Sequence, residues 1–160
     1  MITDVFERLA ASQAITATAV GTNVKDLTTD RNIGSGEPMC VVFNIEVAAK
    51  VSATDEKYTF DVETCSDAAQ TLARRLMGRR LFSATPTLPE EEGTLLVAGF
   101  VFIIPLPSLA LAETERYLGL RCTTSGTTPT VTYTAYLQPL KMATLNIPAA
   151  YPRGYTFTHA

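Results

Sequence analysis

Few residues of this chain have the types and spacing that chemistry requires. The single histidine, His159, is next to last. A Ser-His-Asp or Cys-His pair would need it as a base, and a frayed penultimate residue is poorly held for that task. Cys40, Cys65 and Cys122 are far apart and have no neighbouring histidines, so they lack the short spacing of a zinc site. Cys40 and Cys122 lie inside apolar runs and Cys65 ends one, so all three read as buried, reduced thiols in a reducing compartment. The Gly34-Ser-Gly36 step has neither the G-x-G-x-x-G nor the Walker spacing and reads as a turn before a strand. Asp55, Glu56, Asp61 and Glu63 could be imagined as paired carboxylates, but Asp61 and Glu63 fall two apart, on what would be the solvated face of a strand. No catalytic residue, cofactor or metal ion is expected, and the chain does not read as an enzyme.

One charged feature stands out. Arg74, Arg75, Arg79 and Arg80 fall within seven residues, a short distance before Glu90-Glu-Glu92. Three readings are open: a solvated helix end, pairing with Glu90 to Glu92, or ion pairs with an acidic patch on a partner, for which the arginine fork is suited. A nucleic-acid patch would want interleaved aromatics and a basic background, whereas the formal net charge is −3.

The elements that must position these residues are mostly strands. Tyr58, Phe60 and Val62 alternate with Thr59, Asp61 and Glu63, and Val131, Tyr133, Ala135 and Leu137 alternate with polar or aromatic neighbours. Met39 to Val47 begins as an apolar run and then alternates. Leu95 to Ile104 is apolar on both faces, as in a strand covered on both sides, and Tyr117 to Cys122 is a further strand. Turn signals at Gly34 to Gly36, Ala53 to Glu56, Glu92-Gly93 and Thr124 to Pro129 separate these runs at sandwich intervals. Two short helices are expected. One spans Asp4 to Ala11 behind Thr3; the other spans Asp67 to Met77, capped by Ser66, with Leu72, Leu76 and Ala69 sharing a face.

The 160 residues suit one domain, 1–160. A chain of this length buries roughly 70% of its unfolded surface and needs no staple. Thr94 to Ala112 is interrupted by Gly99, Pro105 and Pro107, so no membrane helix is expected, and the N-terminus shows no secretion signal. Residues 1–12 and 139–160 are candidate extended arms. The second is apolar yet broken by prolines, and Tyr151, Tyr155 and Phe157 join Arg74, Arg75, Arg79 and Arg80 as candidate interface residues. This segment either closes its own sandwich or lies along a neighbour.

The residues Gln13-Ala-Ile-Thr-Ala-Thr-Ala-Val-Gly-Thr-Asn-Val-Lys-Asp-Leu27, followed by Arg31-Asn-Ile-Gly-Ser-Gly-Glu37, carry a resemblance. With Met1 to Asp4, this opening resembles the cement (decoration) proteins of tailed-phage capsids of the Bordetella-phage type. It departs from their pattern at Lys25 and at the arginine-rich stretch 74–80. The resemblance covers about the first quarter of the chain.

It implies an all-β fold: a jelly-roll or Greek-key β-sandwich of about eight antiparallel strands. It further implies a virion structural protein, made in the host cytoplasm, on the outer capsid surface. There it would cement neighbouring subunits of the major capsid protein as a homo-oligomer, dimer or trimer, without contacting nucleic acid or membrane. The alternative is a tail- or vertex-associated β-sandwich module that binds a host surface or carbohydrate. The absence of Trp, and the strand positions of most Tyr and Phe, give that alternative little support. A cupin-type enzyme would need a histidine cluster.

Overall fold

The architecture comes from a computed structural model that describes residues 8–27, 32–33, 38–51, 53–72, 74–93, 96–107, 109–110, 115–141 and 143. The strands in chain order are β1 (Arg8–Ile15), β2 (Ala19–Val20), β3 (Lys25–Asp26), β4 (Asn32–Ile33), β5 (Met39–Val47), β6 (Lys57–Cys65), β7 (Arg74–Ser83), β8 (Glu91–Gly93), β9 (Val101–Pro105), β10 (Leu109–Ala110), β11 (Tyr117–Ser125) and β12 (Val131–Pro139). One sheet has the order β1-β12-β5-β9 and the other β2-β11-β6-β7-β8, while β10 and β4 form a separate pair.

β2 and β3 are two pieces of one edge strand. Val20 pairs with Arg121 and Lys25 with Leu118, and between them the Gly21 N–H still reaches the Leu120 carbonyl at 2.8 Å. Counting these pieces as one, and leaving out β4, β8 and β10, gives eight principal strands. In chain order the two sheets then read 1-8-3-6 and 2-7-4-5. The antiparallel pairs nest: fourth with fifth, third with sixth, second with seventh, first with eighth. A long hairpin rolled on itself in this way is a jelly roll. Among the described residues, the one parallel pairing is β7 with β8.

Alternation along the strands fills the space between the sheets. On β12, Val131, Tyr133, Ala135 and Leu137 are buried while their neighbours are half-buried. Phe43 stacks on Phe102 with ring centres 4.7 Å apart, and Phe60 from the facing sheet meets Phe43 and Tyr133 edge-on at 5.4 and 5.3 Å. Such pairs add roughly 0.5–1.5 kcal/mol each beyond the area they bury. A second apolar cluster lies on the outer face of the first sheet, where Cys40, Val42 and Ile103 pack with Ala143 and Leu140. β9 is therefore apolar on both faces, as its sequence implies. The three cysteines are free and buried.

Both expected helices are overturned. Residues 8–11 belong to β1, and 4–7 lie outside the described residues. Residues 67–72 form turns and 74–83 form β7. Asp67 accepts the N–H groups of Thr71 at 3.0 Å and Leu72 at 3.0 Å, closing a turn instead of opening a helix. Beyond it, the cross-strand ladder with β6 outweighs modest helical propensity. Leu72 and Leu76, read as sharing a helix face, lie in a loop and on β7 and are exposed. Glu92-Gly93 is strand β8, and the strand read from Leu95 begins at Val101, after a turn with Gly99 at φ +82. Gly34 to Gly36 lie outside the described residues.

Candidate functional site

The four arginines read as one cluster lie on a strand, so alternation divides them between its faces. A bulge at Met77 shifts the register: Gly78 faces Val62 and Leu76 faces Glu63, which turns Met77 into the core. Arg74, Leu76 and Arg79 consequently share the outward face of β7, opposite the outward Asp61 and Glu63 of β6. Arg75 and Arg80 take the other register.

On the outward face the carboxylates lie beneath the arginines. Arg79 clasps Asp61, its direct cross-strand partner, through Nε to Oδ1 at 2.6 Å and Nη2 to Oδ2 at 2.9 Å. The Asp61 side chain is 4% exposed and that of Arg79 is 53% exposed. The hydrogen bond to Asp61 raises the Arg79 pKa further, so its charge is permanent. Glu63 accepts from Arg121 Nε at 3.1 Å and from Arg74 Nη1 at 3.4 Å. Arg121 Nη2 also donates to the Gln70 carbonyl at 2.9 Å. Asp61 and Glu63 thus do share the polar face, as the alternation implies, but they are buried in it, not solvated.

The other two arginines do different work. Arg75 donates to Glu115 at 3.2 and 3.3 Å, and Glu115 also accepts from the Thr64 hydroxyl at 3.2 Å. Arg80 points inward. Its guanidinium lies 5.5 Å from the Phe82 ring centre and 5.7 Å from that of Phe102, and it makes a two-pronged bond to Glu92. Of the three readings of the arginine run, pairing with the acidic run after it is realised, among the described residues, by Arg80. Arg74, Arg75 and Arg79 choose carboxylates 11, 40 and 18 residues away. Arg121, Glu115 and Gln70 were missed by sequence reasoning, because only the strand pairing brings them to β7.

The groups weighed for chemistry are placed as follows. Burial pushes the Cys40 and Cys122 thiols up to about 12, far from a reactive thiolate at neutral pH. The Cys65 thiol donates to Asp67 at 2.7 Å. No group of three or more His, Cys, Asp or Glu positioned to hold a metal ion occurs among the described residues. No helix among them is long and apolar enough to cross a membrane. Tyr151, Tyr155, Phe157 and His159 lie outside the described residues, as do 1–7 and 144–160 of the two candidate arms. The described start of the second arm packs on its own sheet: the Leu140 N–H bonds to the Pro38 carbonyl at 2.7 Å, and Ala143 is fully buried.

Of the residues that carry the resemblance, 13–27 form a corner between the sheets. Gln13 of β1 donates through Nε2 to the Val20 carbonyl at 2.7 Å and accepts the Thr22 N–H at 3.1 Å. It thereby ties the edge of one sheet to the edge strand of the other. Asp26 then holds Arg116 through two bonds of 2.9 and 2.6 Å.

No curated protein matches the chain. Residues 9–137, from within β1 to within β12, match the model of a family described as Bbp16. With most of the jelly roll inside that match, the chain belongs to the Bbp16 family, whose name points to a Bordetella phage protein.

Proposed function

We propose that this chain is a virion structural protein that binds the outer face of an assembled icosahedral capsid and cements neighbouring major-capsid subunits. The observation that carries the reading is the match to the Bbp16 family, whose name points to a Bordetella phage, across most of the jelly roll. The Gln13 to Leu27 opening, which resembles capsid cement proteins, supports it by forming the corner that fastens the two sheets. A framework of paired ions on a rigid sheet suits a part that must bear load.

The physical mechanism is linkage. A ligand that binds the assembled, expanded shell and not its separated subunits stabilises that state by its binding free energy. Repetition over many equivalent sites multiplies the effect. No bond is made or broken by the protein.

Co-sedimentation of the purified protein with mature, undecorated shells of the phage that encodes it tests the reading. Saturation in proportion to the number of shell subunits, with a raised shell melting temperature, is the expected result. A handful of copies per particle would instead identify a tail or vertex module, and no binding would remove the capsid from the account.

A further inference from the structure

We infer that the outward face of β6, β7 and β11, centred on Leu76 and Arg79 and flanked by Leu72, Arg74 and Arg121, is the docking face, and that its partner is a carboxylate-bearing patch on the protein shell. The inference rests on the cementing reading and names the surface that would carry it.

Two independent features point to this face. The first is a vertical separation of charge. Asp61 and Glu63 are almost wholly buried, while Arg79 and Arg74 above them have side chains 53% and 38% exposed. The carboxylates fix where the guanidiniums stand, and the fork of Arg79 spends Nε and Nη2 on Asp61 and directs its remaining N–H groups elsewhere. Donors held in advance lose little freedom on binding, which is where preorganised surfaces gain affinity. Carboxylates match the planar fork.

The second feature is apolar. Leu76 stands outward on β7 at 47% exposure, among those arginines, and Leu72 in the loop leading into β7 is 57% exposed. A single exposed leucine needs no explanation. Leucines beside partly exposed arginines have the composition of a protein interface, with an apolar centre and arginine anchors.

The same bookkeeping disfavours nucleic acid. Three arginines, Arg74, Arg79 and Arg121, stand over Asp61 and Glu63, and Asp67 lies beside Leu72, so three carboxylates match the three cations and the face carries no net charge. A phosphate backbone is bound by accumulating uncompensated cations. A protein patch offering a few carboxylates and an apolar contact fits better.

The test is equilibrium binding of wild type, Leu76→Glu and Arg79→Lys to undecorated mature shells, with melting temperatures of the free variants measured alongside. Leu76→Glu sets a carboxylate where the partner's would dock, and it also faces Glu63 across the strands, so a modest drop in melting temperature is expected. Measured well below that temperature, it should bind at least about tenfold more weakly, as interface anchors do. Arg79→Lys keeps the charge over Asp61 but loses the fork, and should weaken binding by a smaller factor.

Phenylglyoxal modification supplies a readout independent of any variant: Arg74 and Arg79 should react in the free protein and be protected on the shell. If wild type decorates shells while Leu76→Glu binds equally well, or Arg79 stays reactive when bound, the docking face is wrong and the cementing reading stands. If wild type does not decorate shells, both fall. Binding of a duplex DNA fragment in preference to shells would also overturn the inference.

Discussion

The side-chain amide of Gln70 lies directly over Gly119, so closely that a Cβ built on the glycine would sit 1.7 Å from it. With its nitrogen donating to the Leu120 carbonyl at 3.1 Å and its oxygen accepting the Gly119 N–H at 3.0 Å, the amide adds itself to β11. Gln70 belongs to the loop between β6 and β7, and it holds φ +54, a left-handed conformation that is unfavourable outside glycine. The bonds to β11 and the Arg121 bond to its carbonyl offset that strain and pin the loop to the outer face.

Gly119→Ala should therefore destabilise the protein by about 1–3 kcal/mol, since the methyl group and the amide exclude each other and buried bonds are lost. Urea unfolding measures the change. Limited proteolysis should show faster cleavage within 66–72. Gly93→Ala is the control: the nearest atom to its added methyl is 4.0 Å away, so it should shift stability by no more than about 0.5 kcal/mol. Equal effects at the two glycines would refute the packing explanation.

Gln13 allows a second expectation. It serves as donor and acceptor between the two sheets, so Gln13→Ala should cost about 0.5–1.5 kcal/mol by removing both bonds. Gln13→Glu keeps the acceptor for Thr22 but sets a carboxylate against the Val20 carbonyl. Its penalty should exceed that of alanine at neutral pH and shrink as the carboxylate is protonated. Urea midpoints at neutral and acid pH decide the point. Retention of wild-type stability in both variants would mean that the corner is not held by this side chain.

The parts of this fold legible in the sequence are those whose period is simple. β6, β11 and β12 show their inward residues at every second position, and β5 is visible as an apolar run. The failure at 67–77 has a physical cause. Leu72 and Leu76 stand four apart, the helical spacing, but Leu72 belongs to a loop and Leu76 to the outward face of β7, just before the Met77 bulge. Read as a helix, the arginines form one patch; read as a strand with one extra residue, they divide between two faces. The true face also needs Arg121, which no local pattern joins to Asp61 and Glu63, some 58 residues away in the case of Glu63. Long-range pairing, invisible to periodicity, builds this site.

Arg80 is the arginine whose loss should matter most to folding. Its side chain is only 11% exposed, it faces the inner aromatic rings, and it bonds to Glu92 of β8. Arg80→Lys keeps the charge but loses the flat cation over the rings and the two-pronged bond, and should cost about 1–2 kcal/mol. Arg80→Met should cost more, because it leaves Glu92 without its main cation. Adding Glu92→Gln should recover part of that cost, as expected when an unpaired charge is neutralised. A double-mutant cycle measures the coupling, and strict additivity of the two substitutions would show that the pair does not hold β8 to β7.

Acid stability turns on Glu91, the first residue of β8. The hydrogen bond from Lys57 and then the N–H of Thr87, at 2.6 Å, hold its carboxyl down from an ordinary 4.5 to about 2. A carboxyl depressed by folding stabilises the native state fully above its unfolded value. That contribution disappears as pH falls through the folded value, where the proton binds both states alike. The stability difference between wild type and Glu91→Gln should thus be constant above about pH 4.5, shrink between 4.5 and 2, and be smallest near pH 2. Asp67 acts in the same direction, held low first by the Cys65 thiol and then by the Thr71 and Leu72 N–H groups, so Asp67→Asn should narrow the same acid limb. Urea midpoints measured for the three proteins from pH 7 to 2 check this. A wild-type to Glu91→Gln difference that stayed constant down to pH 2 would mean that the Lys57 and Thr87 contacts do not depress the carboxyl.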